Sequence, residues 1–239
     1  MVRVGGDTFG VKLRGAVDLR ASVHDRGDGT YDVTFIASVT GEYAVHVTLH
    51  HKHVLGSPFS LIVGPGAAHP PLCRLLDAST SPTHAGTPLA LPLPHLVAGN
   101  ESAFLVEARD AFDSRLPRGG EHIKAWLRPV HGHSPAALAP AAARSAGFTP
   151  PALAIDDLHD GRYLIRMRVH VAGDYMVEVR IGSGLHEKPI GEAAPLPLRV
   201  VPDVPYAPST SVHGADLRGV RAGEECHFLL VSHDVHGNL

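Results

Sequence analysis

Cysteine is nearly absent from this chain. Its 239 residues contain two, Cys73 and Cys226, in separate segments. They make no disulfide framework, and neither sits in a zinc or redox spacing. Aromatic residues are scarce too, at 5%, so any core must be built from Val, Leu, Ile and Ala. A strong charge of either sign is missing. The formal net charge is −3 and no basic block occurs, which argues against nucleic acid as a partner. No apolar run has the length of a membrane-spanning helix. The first residues, MVRVGGDTFGV, lack the apolar centre of a signal peptide. Nucleophile elbows, glycine-rich phosphate loops and helix–strand alternation are also missing. The chain is therefore expected not to be an enzyme and to need no cofactor.

Turn chemistry, by contrast, is plentiful. Gly 25 and Pro 20 suit many short strands joined by turns, and 44% hydrophobic residues can fill real cores. The most legible stretch is His24 to Val47, HDRGDGTYDVTFIASVTGEYAVHV. Asp28-Gly29 supplies a tight turn, because glycine tolerates positive φ and aspartate hydrogen-bonds its own backbone. Two alternating runs follow, Tyr31-Val33-Phe35 and Tyr43-Val45-Val47, with Gly41 between them. Alternation at period two predicts antiparallel strands with one buried face. The pattern recurs: Asp160-Gly161 repeats the turn, and Gly173 to Val179 repeats the second run. Gly29 to Gly161 and Tyr43 to Tyr175 share an offset of 132 residues, so the chain contains an internal repeat.

Taken in order, strands are predicted at Phe9-Val11-Leu13, at Val17-Leu19-Ala21-Val23, along the two runs above and at Phe59-Leu61-Val63. His50 to His53 makes a polar hairpin tip. Residues 1–66 thus form a partial repeat lacking its first two strands. His69 to Pro94 is a linker with an edge strand, where proline is tolerated. Residues 69–201 hold a complete repeat, with an Ala/Pro-rich insertion of about eighteen residues near 132–151. Residues 203–239 supply the first two strands of a further repeat. Gly223, Phe228 and Asp234 lie 124 residues after Gly99, Phe104 and Asp110. The two end segments are complementary halves. The expectation is either a fragment of a longer array or halves that pair, within a chain or between neighbours. The fold class expected is all-β, a tandem of immunoglobulin-like antiparallel β-sandwiches.

Several features invite sharper readings. His46, His50, His51 and His53 cluster in a chain with 18 histidines. A hairpin tip holds solvated, mobile rings, whereas zinc needs four ligands in a fixed tetrahedron, so no metal site is expected. Arg26-Gly27-Asp28 spells an integrin-type tripeptide, yet turn chemistry already accounts for its glycine and aspartate. Asp25, Asp28, Asp157 and Asp160 lack the ligand alternation of a calcium loop and are expected to cap turns. Asn100-Glu101-Ser102 fits a glycosylation acceptor, relevant in a secreted chain. Cys226 is in step with Phe228 and Leu230 and is expected to face a core.

Three motifs together carry a family resemblance. Val23 to Tyr31 reads Val-x-Asp-x-x-Asp-Gly-Thr-Tyr, Gly41 to Val47 reads Gly-x-Tyr-x-Val-x-Val, and Gly56 to Phe59 reads Gly-Ser-Pro-Phe. They resemble the filamin-type immunoglobulin-like repeat, and Ala98 to Asp110 resembles that repeat's first half. The second unit departs from the pattern, with Ala193-Ala194-Pro195-Leu196 where the first has Gly-Ser-Pro-Phe. The resemblance implies a seven-stranded sandwich of about a hundred residues, acting as a structural spacer and a docking module for protein partners. It implies partner peptides adding a strand beside the third and fourth strands, a β-augmentation mode. Carried onto this chain, that groove comprises Phe9, Val11, Leu13, Leu19, Ala21 and Val23, and in the second unit Ile123, Ala125, Leu127, Ala152 and Ala154. The setting implied is a cytoplasmic, actin-associated cytoskeletal scaffold. The alternatives are an extracellular adhesion segment, as in gamete surface proteins, and the substrate-binding part of a ubiquitin ligase. Neighbouring repeats of the same array are implied as further partners.

Overall fold

The computed structural model describes residues 5–78, 88–89, 93, 95–130, 153–191 and 195–239. The chain forms two compact units. Unit 1 comprises Met1–Ala67 with Arg109–Pro117, and unit 2 comprises Ala68–Ala108 with Arg118–Leu239. Among the described residues, all regular structure is β-strand apart from short 3-10 turns. The Ala/Pro-rich insertion near 132–151 lies outside the described residues.

Unit 1 contains β1 (Phe9–Arg14), β2 (Leu19–Arg20), β3 (Ser22–Asp25), β4 (Tyr31–Thr34), β5 (Gly41–Leu49), β6 (Lys52–His53) and β7 (Phe59–Val63). One sheet runs β2-β1-β5-β6, with β7 also on β5, and β3-β4 forms a separate two-stranded sheet. The predicted run Val17 to Val23 is thus two strands in two sheets, and β4 ends at Thr34, immediately before Phe35. Among the described residues the buried apolar side chains of this unit are Leu116, Tyr43 on β5, and Val11 and Leu13 on β1. The β1 pair alternates with exposed Lys12 and Arg14, as one-sided strands require. His50 and His51 hold positive φ, 45° and 66°, at the β5–β6 turn.

Unit 2 contains β8 (Arg74–Asp77), β9 (Leu96–Val97), β10 (Glu101–Glu107), β11 (Ile123–Pro129), β12 (Ala154–Asp157), β13 (Arg162–Arg168), β14 (Gly173–Ile181), β15 (Lys188–Pro189), β16 (Leu196–Val201), β17 (Ser211–His213) and β18 (Leu229–Val231). One sheet is ordered β12-β13-β10-β8. A second is ordered β11-β14-β16-β9 with β15 on β14, and β17-β18 stands as a two-stranded sheet. The central strand β14 alternates through Tyr175, Val177, Val179 and Ile181, all at most 2% exposed. From the other sheet, Val106 and Ile165, on one face, are fully buried. Residues on the inner faces of two sheets make this core.

The repeat seen in the sequence recurs bond by bond. Tyr43 Oη donates to the Val39 carbonyl at 2.8 Å, and Tyr175 Oη donates to the Val171 carbonyl at 2.8 Å. Such a tyrosine corner is a hallmark of immunoglobulin-like sandwiches. Burial pushes the Tyr175 hydroxyl up to about 12.

Candidate functional site

The first edge to consider is β11. It pairs with β14 from Ile123↔Ile181 to Pro129↔Tyr175. Among the described residues no strand lies on its other side. Leu127 is buried, Ile123 and Ala125 are half-buried, and Lys124 and Arg128 are exposed. On the polar face Lys124 Nζ lies 2.6 Å from Glu187 Oε2. The Arg180 guanidinium lies 5.8 Å from the Trp126 ring centroid, within reach of a cation–π attraction. These contacts hold the strand's outer face, and its other edge is unpaired among the described strands.

The equivalent edge of unit 1 is partly occupied. There β1 takes β2 against it, with Leu13 opposite Leu19 and Lys12 opposite Arg20. The Ala21 amide adds a bond to the Val11 carbonyl at 3.2 Å. The structure therefore brings Phe9, Val11, Leu13, Leu19 and Ala21 together along one sheet, while Val23 belongs to β3 in the other. In unit 2, Ile123, Ala125 and Leu127 share β11, whereas Ala154 lies on β12 in the opposite sheet and is exposed. Its neighbour Ile155 is half-buried, opposite Ile165. Ala152 lies outside the described residues.

Both edge strands are entered through the same clamp. The Gly6 amide donates to Asp25 Oδ2 at 2.6 Å, and the Gly120 amide donates to Asp157 Oδ2 at 2.8 Å. The next amides, Asp7 and Glu121, donate to Tyr31 Oη at 2.9 Å and Tyr163 Oη at 2.7 Å. Gly6 and Gly120 have φ of 113° and 104°, a region open to glycine. The turn aspartates act as caps. Asp28 Oδ1 accepts from both the Thr30 hydroxyl and the Thr30 amide, bonds that hold its carboxyl below the ordinary value. Arg26 of the tripeptide pairs with Asp32 at 2.7 Å. Among the described residues no group of three or more potential ligands is placed to hold a metal ion.

Two further carboxylates escaped sequence reasoning. Asp110 and Asp234 are each 2% exposed. Asp110 Oδ1 accepts from the Phe112 and Ser114 amides, and its Oδ2 accepts from the Gly66 amide at 2.9 Å. Asp234 Oδ1 likewise accepts from His236 and Asn238, and its Oδ2 accepts from the Asp203 amide at 3.0 Å. Burial alone would raise both carboxyls, but these bonds outweigh it and hold them below the ordinary value. Asn238 goes further. Its Oδ1 accepts from the Ala172 amide and its Nδ2 donates to the His170 carbonyl. The shared offset of Asp110 and Asp234 was the available signal. Their burial was not visible in it.

Cys226 corrects an expectation. It is exposed rather than facing a core, and Phe228 and Leu230 are 53% and 61% exposed. No strand among the described residues pairs with the free side of β18, so no core forms over these residues. Asn100 is exposed, on the turn before β10. No helix among the described residues is long and apolar enough to cross a membrane.

Paired antiparallel sheets, tyrosine corners and unpaired edges define an immunoglobulin-like repeat protein. Residues 2–60 match the model of the Filamin/ABP280 repeat, and that segment is similar to a filamin-type repeat. It is similar to E3 ubiquitin-protein ligase TRIM71 of Rattus norvegicus, with 36% identity over 67 residues, 27% of this chain and 8% of that protein. It is similar to Filamin-C of Rattus norvegicus, with 36% identity over 66 residues, 28% of this chain and 2% of that one. The chain thus spans under a tenth of the length of these curated relatives. Among solved structures, FdeC, an adhesin of Escherichia coli, has a TM-score of 0.52 at 16% identity, covering 98% of this chain and 65% of that one. That likeness is one of fold.

Proposed function

We propose that this chain is a non-enzymatic spacer and docking module that takes an extended partner segment as an added strand on β11. The observation that supports this most is the one-sided pairing of β11 over Ile123–Pro129. An added strand would bond to the β11 backbone, with alternate side chains beside Ile123, Ala125 and Leu127. The complementary segment carries small apolar residues on that face and acidic residues opposite Lys124 and Arg128. In unit 1 the same position is partly filled by β2, so unit 2 is the better receiver. We place this activity in a cytoskeletal scaffold, by kinship with Filamin-C.

A second reading, an extracellular adhesion segment, draws on exposed Asn100 in its acceptor tripeptide. A mass measurement on protein from its native source separates the two, because a glycan on Asn100 demands the extracellular side. The docking reading is tested with extended peptides selected on the full chain from a displayed library. Amide hydrogen exchange with a selected peptide should show new protection along residues 123–129. Protection confined to other strands would reject β11 as the receiver.

A further inference from the structure

Unit 1 carries a basic face that has little negative charge of its own. Residues two apart on a strand share a face, and so do directly opposed residues of an antiparallel pair. Lys12 and Arg14 therefore stand together on β1, on the side away from buried Val11 and Leu13. On β2, Arg20 lies directly opposite Lys12. All three cations are exposed, and none of them makes an ion pair among the described residues. Like charges directly opposed across a strand pair are destabilising, so the fold gains nothing from placing Arg20 against Lys12.

The rest of the face does not offset them. No Asp or Glu occurs between Glu42 and Asp77, a span that includes β6, β7 and most of β5. The side chains contributed there are His46, opposite Lys12, and His53, opposite Thr48. Glu42 Oε1 accepts from the Ser60 hydroxyl at 2.8 Å. Asp18, on the turn before β2, makes no ion pair among the described residues. Unit 2 differs at the matching face. There Lys124, Arg180 and Arg199 lie 2.6, 2.7 and 3.9 Å from carboxylate oxygens of Glu187, Glu178 and Asp174.

A cleft opens beside Arg14. Arg14, Ala44 and Ser60 follow one another across β1, β5 and β7. With Pro58 and Phe59 they line a space of about 370 Å³. In unit 2 the same row reads Arg128, Met176 and Pro197, so a long side chain stands where Ala44 leaves room.

We infer that this face of unit 1 binds an extended acidic segment of a protein partner, with carboxylates on Lys12, Arg14 and Arg20 and one apolar side chain in the cleft. The occupant is a peptide for two reasons. Lys12 and Arg14 recur at the strand interval of about 7 Å, which is also the interval of alternate side chains in an extended chain. The cleft adds an apolar anchor beside a guanidinium, and a bare polyanion has nothing to place there. This surface lies wholly within unit 1 and is distinct from β11.

The probe is a fluorescein-labelled random copolymer of glutamate and tyrosine, titrated with the full chain and read by anisotropy. Binding should saturate, weaken as salt rises, and exceed that of labelled polyglutamate several-fold. Lys12→Ala and Arg14→Ala should each weaken it several-fold, while Arg218→Ala, an exposed cation of unit 2, should leave it unchanged. Ala44→Met copies the unit 2 residue into the cleft. It should remove the advantage of the copolymer over polyglutamate and leave polyglutamate binding as it was. Arg20→Thr relieves the like-charge contact, so it should raise the urea midpoint while weakening copolymer binding. A lowered midpoint would make the cation structural and overturn the proposal. So would absence of binding, or binding that survives Lys12→Ala and Arg14→Ala, because the copolymer would then sit elsewhere, β11 included. Equally tight binding of single-stranded DNA or of phosphatidylserine vesicles would also overturn it.

Discussion

Units 1 and 2 share one strand grammar and reach different ends. Tyr43 and Tyr175 occupy matching corners, and Asp25 and Asp157 clamp matching glycines. Yet Ile165 is buried on β13 while Val33 lies 42% exposed at the matching place. The difference is the neighbour. β13 has β10 beside it, and β4 has no strand on that side among the described residues. Local pattern therefore makes a strand, but burial of its apolar face requires the next strand and the facing sheet. The same holds for the matching edges: β1 is partly covered by β2, and β11 is unpaired on one side among the described residues.

This contrast can be broken most strongly at Ile165. Ile165→Ala removes a fully buried side chain and should destabilise unit 2 by about 2–5 kcal/mol. Val33→Ala, at the matching exposed position, should change stability by no more than about 0.5 kcal/mol. Urea unfolding measures both, and equal losses would erase the distinction between the units.

A smaller loss is expected at the buried aspartates. Asp234→Ala leaves the Asp203, His236 and Asn238 amides without their acceptor, on the order of 1–3 kcal/mol. Asp110→Ala should cost less, because Asp234 also accepts from the Asn238 side chain at 2.7 Å and Ser114 stands at the corresponding place. Amide exchange at Asp203 and Gly66 would show whether each loss is local. Both carboxyls are held low in the folded protein, so the unfolded chain takes up their protons first as pH falls. Their contribution is complete above the unfolded value of about 3.9 and disappears as pH drops through the folded value. Acid titration followed by exchange should loosen these two turns below about pH 4.

The smallest effect should fall on the corners, where the units are alike. Tyr175→Phe and Tyr43→Phe each delete one hydroxyl-to-carbonyl bond, about 1 kcal/mol. A large difference between them would show that the corners are not equivalent. At alkaline pH Tyr175 adds a signature. The unfolded tyrosine loses its proton near about pH 10, while the folded one holds it to about 12. Stability therefore declines as pH rises across that interval, and Tyr175→Phe should flatten the decline.

Much of the fold was legible because its cues are short-range. Asp28-Gly29, the alternation through Tyr43 and Val45, and the 132-residue offset required no knowledge of distant partners. The edge residues Ile123, Ala125 and Leu127 were legible as a strand for the same reason. Val23 and Ala154 were placed with less success. A break at Ala21 moves Val23 into another sheet, and on β12 the residue turned inward is Ile155. A one-residue change of phase reverses the face in a strand, and a short alanine-rich run carries little to set that phase.

The sequence by itself determined the strands, their turns, the aspartate caps and the duplication, because each follows from side-chain alternation or from local backbone chemistry. Tertiary structure alone decided which edges are closed. It laid β2 on β1, left β11 one-sided among the described residues, sank Asp110 and Asp234 among backbone amides, and left Cys226, Phe228 and Leu230 in the open. The physical reason is that burial and edge pairing belong to pairs of elements far apart in sequence, and a strand's own residues do not state which neighbour is present.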